Sequence, residues 1–138
     1  MSAPFTHPAR IYWEDTDAGG IVYYANYLKF FERARTEWLR ARGIEQGKLA
    51  AQTGGMFVVS RASVDYLRPA RLDDWLIVTA AVAESGAASL ALEQRIHLGA
   101  PDGPLLVQGR FRLAWVGAQD MRPARIPAAV RQKLRDLP

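Results

Sequence analysis

Two carboxylates and a pair of glycines lie together in residues 14–27, which read EDTDAGGIVYYANY. Asp15 and Asp17 stand one residue apart, and Gly19 and Gly20 follow and allow a backbone turn that other residues resist. A carboxylate held beside a carbonyl group can attack it as a nucleophile, or can take a proton from water as a general base. These residue types in this order indicate a site for acyl transfer to water.

The residues after the glycines supply a second requirement of that chemistry. A helix is predicted to begin at about Ile21 or at Asn26, and a helix N-terminus presents unpaired amides and a partial positive charge. An oxyanion is stabilised there, and one good donor contributes on the order of 3 kcal/mol to the transition state. A thioester fits best, because its thiolate leaves without a strong general acid and no His or Cys lies near the motif.

The same residues also have a purely structural interpretation. Asp caps helices and Gly makes turns in many proteins that catalyse nothing. Tyrosines such as Tyr23, Tyr24 and Tyr27 are more often found in a core or an interface than in contact with a substrate. The local sequence alone leaves both interpretations open.

The composition excludes several other kinds of site. The chain has 138 residues, no cysteine and two histidines, His7 and His97, so thiolate chemistry is excluded and no metal or cofactor is expected. The net charge is +4, but the basic residues near the end are not interleaved with aromatic residues, so nucleic acid is not expected. No apolar run approaches the roughly 20 residues that span a bilayer, and no export signal is recognised. We therefore expect a cytoplasmic protein without a transmembrane segment.

The hydrophobic periodicity predicts the elements that position the motif. One amphipathic helix is predicted over 27–39, with Asn26 as its N-cap, Gly43 as its stop, and Arg35 among the residues of its polar face. A short helix is predicted after Pro127. The predicted strands comprise residues 10–13, 56–67, 75–83, 89–98 and 105–116. This order indicates an α+β fold in which a mostly antiparallel sheet covers the helix.

A family resemblance is carried by two longer blocks. YWEDTDAGGIVYYANYLKFFERARTEWLR and FVVSRASVDYLRPARLDDWL resemble the hotdog-fold acyl-CoA thioesterases of the 4-hydroxybenzoyl-CoA thioesterase class. The blocks are more closely similar to the branch associated with the bacterial Tol–Pal envelope system. The resemblance implies a hotdog fold, with one long central helix wrapped by a five-stranded antiparallel sheet. We expect a single domain over 1–138, with its core at about 8–117 and a basic extension at 118–138.

The resemblance also implies roles for particular residues. Asp17 is expected to be the catalytic carboxylate, and Asp15 is the lesser candidate. A backbone amide at or beside Tyr24 is expected to polarise the thioester carbonyl, and Gly20 to let the substrate approach the backbone. Asn26 matches a small polar position at the helix start and is expected to contact substrate. Many members of the Tol–Pal branch have His in place of Tyr24, so any help from that side chain is absent here.

The function implied by the resemblance is hydrolysis of an acyl-CoA to a free acid and CoA, with Asp17 as nucleophile or general base. An acyl carrier protein is the alternative carrier, and pairing into homodimers or homotetramers is implied. Arg61, Arg68 and the C-terminal basic residues are candidates for contacts with the CoA phosphates. Two other functions stay open: a non-catalytic acyl-CoA or acyl-carrier-protein binding module, and a dehydratase of hydroxyacyl carrier proteins. The small number of histidines argues against the dehydratase.

Overall fold

The computed structural model describes residues 4–135, so residues 1–3 and 136–138 of the predicted domain lie outside the described range. Within that range the strands are β1 (Phe5–Arg10), β2 (Gly55–Tyr66), β3 (Trp75–Ser85), β4 (Ser89–Leu98) and β5 (Leu105–Gly117). The α-helices are α1 (Asn26–Ala41), α2 (Gln46–Thr53) and α3 (Ala128–Arg135), and a 3-10 helix covers Trp13–Asp15.

The strands form one sheet in the order β1-β3-β4-β5-β2, and every neighbouring pair is antiparallel. β1 and β2 are therefore the two edge strands. Inward-facing apolar residues alternate with outward-facing polar residues along β4 and β5, as expected for a sheet with one covered face. The predicted α+β class with a five-stranded antiparallel sheet is confirmed.

The four later strands lie where the sequence predicted them, but the prediction of a first strand at 10–13 is wrong. The strand ends at Arg10, and the chain turns at Trp13–Asp15. The Asp15 carboxylate accepts a hydrogen bond from Tyr12 N at 2.8 Å, and Asp15 N donates to Tyr12 O at 3.0 Å. These two bonds close a tight turn where an extended segment was expected.

α1 packs on the inward face of the sheet because its apolar residues repeat at helical spacing. Its buried aromatic residues contribute to two apolar clusters, and they are Tyr27, Phe30, Phe31 and Trp38. The predicted range of 27–39 is confirmed, and the helix ends slightly later. The structure differs from the expected single long helix, since α1 has 16 residues and two helices of 8 residues follow. Residues 46–53 gave no helical signal because only Leu49 is buried there.

The ends of α1 are specified in different ways. Asn26 is not the N-cap as predicted, because that position belongs to Ala25 and Asn26 is the first helical residue. Gly43 ends the helix as predicted. It has a φ of +78°, and bonds from Gly43 N to Arg40 O (3.0 Å) and from Ile44 N to Leu39 O (2.9 Å) form a Schellman motif.

The described part of the predicted C-terminal extension packs onto the rest of the molecule. α3, which confirms the predicted short helix after Pro127, belongs to this segment. Ile126, Val130 and Leu134 are buried in the second apolar cluster. Arg131 Nη1 donates to Gly86 O in the β3–β4 turn at 2.8 Å. In residues 4–135, no helix combines the length and the apolar character that crossing a membrane requires.

We expect Gly43→Ala to lower the free energy of unfolding by about 1 kcal/mol, because alanine is strained at a positive φ. Gly47→Ala is the matched control, since Gly47 is exposed within α2 and a Cβ there meets nothing within 4 Å. That change should raise the free energy of unfolding by about 0.5 kcal/mol through helix propensity. Urea denaturation measures both, and effects of the same sign would contradict the assignment.

Candidate active site

Residues 15–23 form a short antiparallel hairpin that leads into α1. A hairpin loop of residues 18–20 closes it, and Gly20 occupies the left-handed position of that loop with a φ of +77°. Its two arms are joined by bonds from Asp17 N to Ile21 O (2.9 Å) and from Tyr23 N to Asp15 O (3.0 Å), and by a bridge between Thr16 and Val22. The Asp–Gly segment is therefore a defined turn whose geometry requires glycine at one position.

The two acids of the motif have different surroundings. The partly buried Asp15 uses its carboxylate to accept from Tyr12 N, which holds the 3-10 turn. Asp17 is exposed, and one of its carboxylate oxygens accepts from Gly19 N at 2.8 Å. The other oxygen of Asp17 has no hydrogen-bond partner within the described part of the chain. Asp17 is therefore the exposed acid with a free carboxylate oxygen, whereas the Asp15 carboxylate serves the turn.

Unused backbone amides lie at the start of α1. Asn26 N donates to Tyr23 O at 2.8 Å, which closes the turn before the helix. The amides of Tyr24 and Ala25 find no acceptor among residues 4–135. They lie at the positive end of the helix dipole, where a developing negative charge is stabilised. The predicted amide of Tyr24 is thus available, and Ala25 offers a second donor.

Asn26 joins the hairpin to the helix. Its side-chain Nδ2 donates to Asp15 O at 2.9 Å, so this carbonyl accepts from both Asn26 and Tyr23. The structure therefore gives Asn26 a positioning contact, and its expected contact with substrate stays a prediction. At Gly20, a Cβ would meet nothing within 4 Å, so the surface in front of this backbone is open. The requirement for glycine there comes from the backbone conformation.

Tyrosines gather beside the hairpin and include one that sequence reasoning missed. The Tyr24 ring lies 5.1 Å from that of Tyr23 and 5.9 Å from that of Tyr66, centroid to centroid. Tyr66 is the last residue of β2, and its ring also lies 5.7 Å from that of Tyr27. Burial, with the neighbouring Tyr24 as a second cause, raises the pKa of Tyr66. Only the tertiary fold, which places the end of β2 beside the start of α1, brings this residue to the motif.

The backbone of Ala70 contacts both parts of the motif. Ala70 O accepts from Val22 N in the hairpin at 2.9 Å, and Ala70 N donates to the Tyr27 hydroxyl of α1 at 3.0 Å. Tyr27 is buried, and this burial raises the pKa of its hydroxyl. The loop that contains RPARLDD thus fixes the hairpin against the helix.

A buried polar network lies further along α1, and the placement of Arg35 on the polar face is wrong. Arg35 is 8% exposed, and its Nη1 donates to Gln94 Oε1 of β4 at 3.0 Å. Gln94 Nε2 in turn donates to Phe31 O at 3.1 Å and to Thr79 O at 3.2 Å. The guanidinium lies 4.6 Å from the Phe111 ring centroid, and burial lowers the pKa of Arg35. The guanidinium of Arg35 can be buried because it donates a hydrogen bond to the Gln94 side chain.

The histidines take no part in the motif. His97 lies on β4, where its Nδ1 is 2.9 Å from Gly103 O and holds the loop before β5. Among the residues that the structure describes, no group of three His, Asp or Glu side chains is placed to hold a metal ion.

A family model decides the relationship of this chain to known proteins. The model of the thioesterase-like superfamily matches residues 11–134. The chain belongs to this superfamily. The prediction that it is a thioester hydrolase is confirmed at the level of the family.

Several relatives align along nearly the whole chain. The acyl-CoA thioesterase YbgC of Haemophilus influenzae is 40% identical over 133 residues, which are 96% of each chain. The acyl-CoA thioester hydrolase YbgC of Escherichia coli O6:H1 is 40% identical over 126 residues, 91% of this chain and 92% of that one. The crystal structure of a probable thioesterase from Bartonella henselae is similar, with a TM-score of 0.82 and 34% identity, and 91% of this chain and 100% of that chain are covered.

A more distant structure agrees in fold. The 1,4-dihydroxy-2-naphthoyl-CoA thioesterase Slr0204 of Synechocystis matches with a TM-score of 0.88 at 21% identity, and 98% of each chain is covered. At this identity the likeness concerns the fold alone. With the family match, it confirms the hotdog fold that the sequence blocks implied.

We expect Tyr27→Phe to lower the free energy of unfolding by about 1–3 kcal/mol, because the buried amide of Ala70 loses its acceptor. Tyr23→Phe is the matched control, since the Tyr23 side chain is exposed. The control should stay within about 0.5 kcal/mol of the wild type in urea denaturation at neutral pH.

The same variant should change the alkaline limb of the stability profile. The folded pKa of Tyr27 is raised above the ordinary value of 10.0, so the unfolded chain releases its proton first. The contribution of this hydroxyl to the free energy of unfolding is therefore fully present below pH 10 and is lost as the pH rises through the folded pKa. Tyr27→Phe should lose less stability above pH 10 than the wild type. An unchanged alkaline slope would count against the burial of this hydroxyl.

Proposed function

We propose that this protein is an acyl-CoA thioesterase that hydrolyses a thioester to a free acid and CoA. The observation that carries the proposal is that one short hairpin–helix unit contains both a free Asp17 carboxylate oxygen and the unused amides of Tyr24 and Ala25. Such a unit offers a carboxylate that can attack the carbonyl carbon or activate water. It also offers hydrogen-bond donors for the resulting oxyanion. Relatives named as acyl-CoA thioesterases, aligned over 96% of each chain in one case, support CoA as the carrier.

Two routes are open to Asp17. As a nucleophile, its carboxylate oxygen bonds to the thioester carbon, the carbon–sulfur bond breaks, and water then hydrolyses the acyl-enzyme anhydride. As a general base, it takes a proton from water while the hydroxide bonds to the same carbon. In both routes the amides of Tyr24 and Ala25 stabilise the oxyanion, and the CoA thiolate leaves and is protonated afterwards. Asn26 supports this proposal because its side chain fixes the start of the helix. Gly20 supports it because the surface in front of its backbone is open.

A second copy of the chain completes the surroundings of the site in this proposal. β2 is an edge strand, and its last residue, Tyr66, stays 46% exposed beside Tyr24, which is 61% exposed. Trp13, in the turn before the hairpin, is 80% exposed. Exposed aromatic residues next to an unpaired strand edge are typical of surfaces that bind another chain. A homodimer or homotetramer is expected to cover them.

The finer predictions rest on the resemblance of the two sequence blocks. These predictions are the 4-hydroxybenzoyl-CoA thioesterase class and the Tol–Pal-associated branch, with α1 as the central helix of the fold. The single domain over 1–138 with a core at 8–117 and the use of an acyl carrier protein are proposed on the same basis, and the cytoplasmic location is proposed from the composition.

We expect Asp17→Asn to lower kcat for acyl-CoA hydrolysis by about 10²–10⁴-fold, because the carboxylate that attacks the thioester carbon or activates water is lost. The amide oxygen of asparagine can still accept from Gly19 N, so the hairpin should be retained. Asp15→Asn is the matched control, since it removes the same charge two residues away and keeps an acceptor for Tyr12 N. Its kcat should stay close to the wild-type value in a thiol-release assay.

A panel of acyl-CoAs of different chain lengths tests the activity of the wild type. Tight binding in calorimetry without turnover of any member would favour the non-catalytic binding module instead. Exchange of oxygen-18 from water into the Asp17 side chain during turnover is expected only for the acyl-enzyme route.

A further inference from the structure

Tyr66 of β2 contacts two residues at the start of α1 through its aromatic ring. It packs edge-to-face on the ring of Tyr24, with the centroids 5.9 Å apart and an interplanar angle of 88°. The ring of Tyr27 lies 5.7 Å from that of Tyr66 and is tilted by 49°. Aromatic rings attract each other at such distances and angles. One strand residue therefore joins two residues of the hairpin–helix unit.

The end of β2 that carries Tyr66 is held by the backbone of β5. Tyr66 is the register partner of Val107, which is buried. The amides of the next two residues, Leu67 and Arg68, both donate to Leu106 O, at 2.9 and 3.0 Å. The position of the Tyr66 ring is therefore set by the sheet and does not depend on the hairpin.

The backbone that carries the unused amides is held unequally. The amide of Tyr24 belongs to the peptide whose carbonyl, Tyr23 O, accepts from Asn26 N at 2.8 Å. The amide of Ala25 belongs to the next peptide, whose carbonyl, Tyr24 O, accepts from Tyr27 N at 3.4 Å. Because N–H···O bonds are usually about 2.7–3.2 Å long, the peptide of the Ala25 amide is the weakly held one.

The ring of Tyr66 joins the two residues that make this long bond. The rings that it contacts belong to Tyr24, which supplies the carbonyl, and to Tyr27, which supplies the amide. Tyr27 is fixed independently, since it is buried and its hydroxyl accepts from Ala70 N at 3.0 Å. The contact with Tyr66 therefore ties the exposed Tyr24 to a fixed neighbour and restricts the peptide between Tyr24 and Ala25.

The contact between Tyr66 and the helix start is made by the ring and involves no charge. Burial of the side chain, with Tyr24 as the second cause, raises the pKa of the Tyr66 hydroxyl above its ordinary value of 10.0. The hydroxyl is therefore protonated at neutral pH, and no phenolate charge competes with a developing oxyanion. A phenylalanine at this position would keep the contact.

We propose that Tyr66 is a positioning residue for the oxyanion site, and that it acts through the ring of Tyr24 on the amide of Ala25. This role rests on the proposed thioesterase function and goes beyond it, because Tyr66 lies outside the hairpin–helix unit. Loss of one oxyanion donor costs about 10²–10³-fold in kcat, and a displacement of about 1 Å can cost about 10²-fold. A donor whose peptide has only a long backbone bond depends on such support.

Two substitutions at Tyr66 separate the ring from the hydroxyl. We expect Tyr66→Leu, which removes the ring and keeps an apolar side chain, to lower kcat for acyl-CoA hydrolysis by about tenfold or more. KM should stay within about twofold of the wild-type value, because the misplaced donor acts only in the transition state. Tyr66→Phe keeps the ring and should restore kcat to within about twofold of the wild type. Equal kcat values for Tyr66→Leu and the wild type would overturn the proposal.

Phe57→Leu is the matched control, because it removes a similar ring contact from the other end of β2. Phe57 packs edge-to-face on Trp115, with the centroids 4.9 Å apart and an interplanar angle of 81°. It precedes Tyr66 by nine residues, about 30 Å along an extended strand. This variant should lower the Tm and keep the wild-type kcat. A loss of kcat as large as that of Tyr66→Leu would assign the effect to general weakening of β2 and sink the proposed role.

A double-mutant cycle tests whether Tyr66 acts through Tyr24. Tyr24→Leu removes the ring and keeps the backbone amide, so it should lower kcat to a similar extent as Tyr66→Leu. Because the two rings act as one unit, the double variant should be no more than about twofold slower than the slower single variant. Multiplication of the two losses would show that the rings act independently, which contradicts the proposal.

Nitrogen-15 relaxation provides a measurement that needs no turnover. The Ala25 amide should have an order parameter of about 0.85 in the wild type and in Tyr66→Phe, and about 0.6 or less in Tyr66→Leu. The amides of residues 30–38 in α1 should stay rigid in all three proteins. An unchanged order parameter of Ala25 in Tyr66→Leu would rule out the positioning role.

Failure of this role and failure of the thioesterase function give different results. If the wild type hydrolyses no acyl-CoA, the thioesterase proposal fails, and the order parameter of Ala25 decides the role of Tyr66. If Asp17→Asn abolishes hydrolysis while Tyr66→Leu stays fully active, only the role of Tyr66 is excluded. Light scattering checks the assembly of each variant. A change in oligomeric state in Tyr66→Leu that Tyr66→Phe reverses would indicate an interface role and overturn the proposal.

Discussion

The carbonyl oxygen of Asp15 accepts from the backbone of Tyr23 and from the side chain of Asn26, and the geometry of the motif depends on these two bonds. The first closes the base of the hairpin, and the second attaches that base to the first turn of α1. The Asp17 carboxylate and the amide of Tyr24 belong to opposite arms of this unit. Their relative position is thus set by these two bonds together with the bonds that join the arms of the hairpin.

The loop before β3 holds that unit in place from outside. Ala70 O accepts from Val22 N and Ala70 N donates to the Tyr27 hydroxyl, so one residue of the loop before β3 fixes both hairpin and helix. The motif is therefore held at two points, by the Asp15 carbonyl within it and by the backbone of Ala70 beside it. The carboxylate of Asp17 can stay exposed there, because neighbouring groups make the contacts that hold the motif.

Most of the fold was predicted from the hydrophobic periodicity. What was missed depends on contacts between residues that are far apart in the sequence. The range of α1 and its stop at Gly43 follow from local spacing and from a positive φ. Asn26 was expected to cap the helix, and nothing local reveals that its side chain bonds to a carbonyl eleven residues earlier. Arg35 was placed on the polar face, because its partner Gln94 lies 59 residues away. Tyr66 reaches the motif only through the packing of β2 beside α1.

The two apolar clusters use different stretches of the chain, and this bears on the order in which the two ends of the molecule can become ordered. The cluster next to the hairpin uses buried residues only from Ile11 to Phe111. The second cluster also needs Ile126, Val130 and Leu134, which follow all five strands in the sequence. The motif end can therefore become ordered before the C-terminal segment has packed, whereas the other end stays open until that segment covers it.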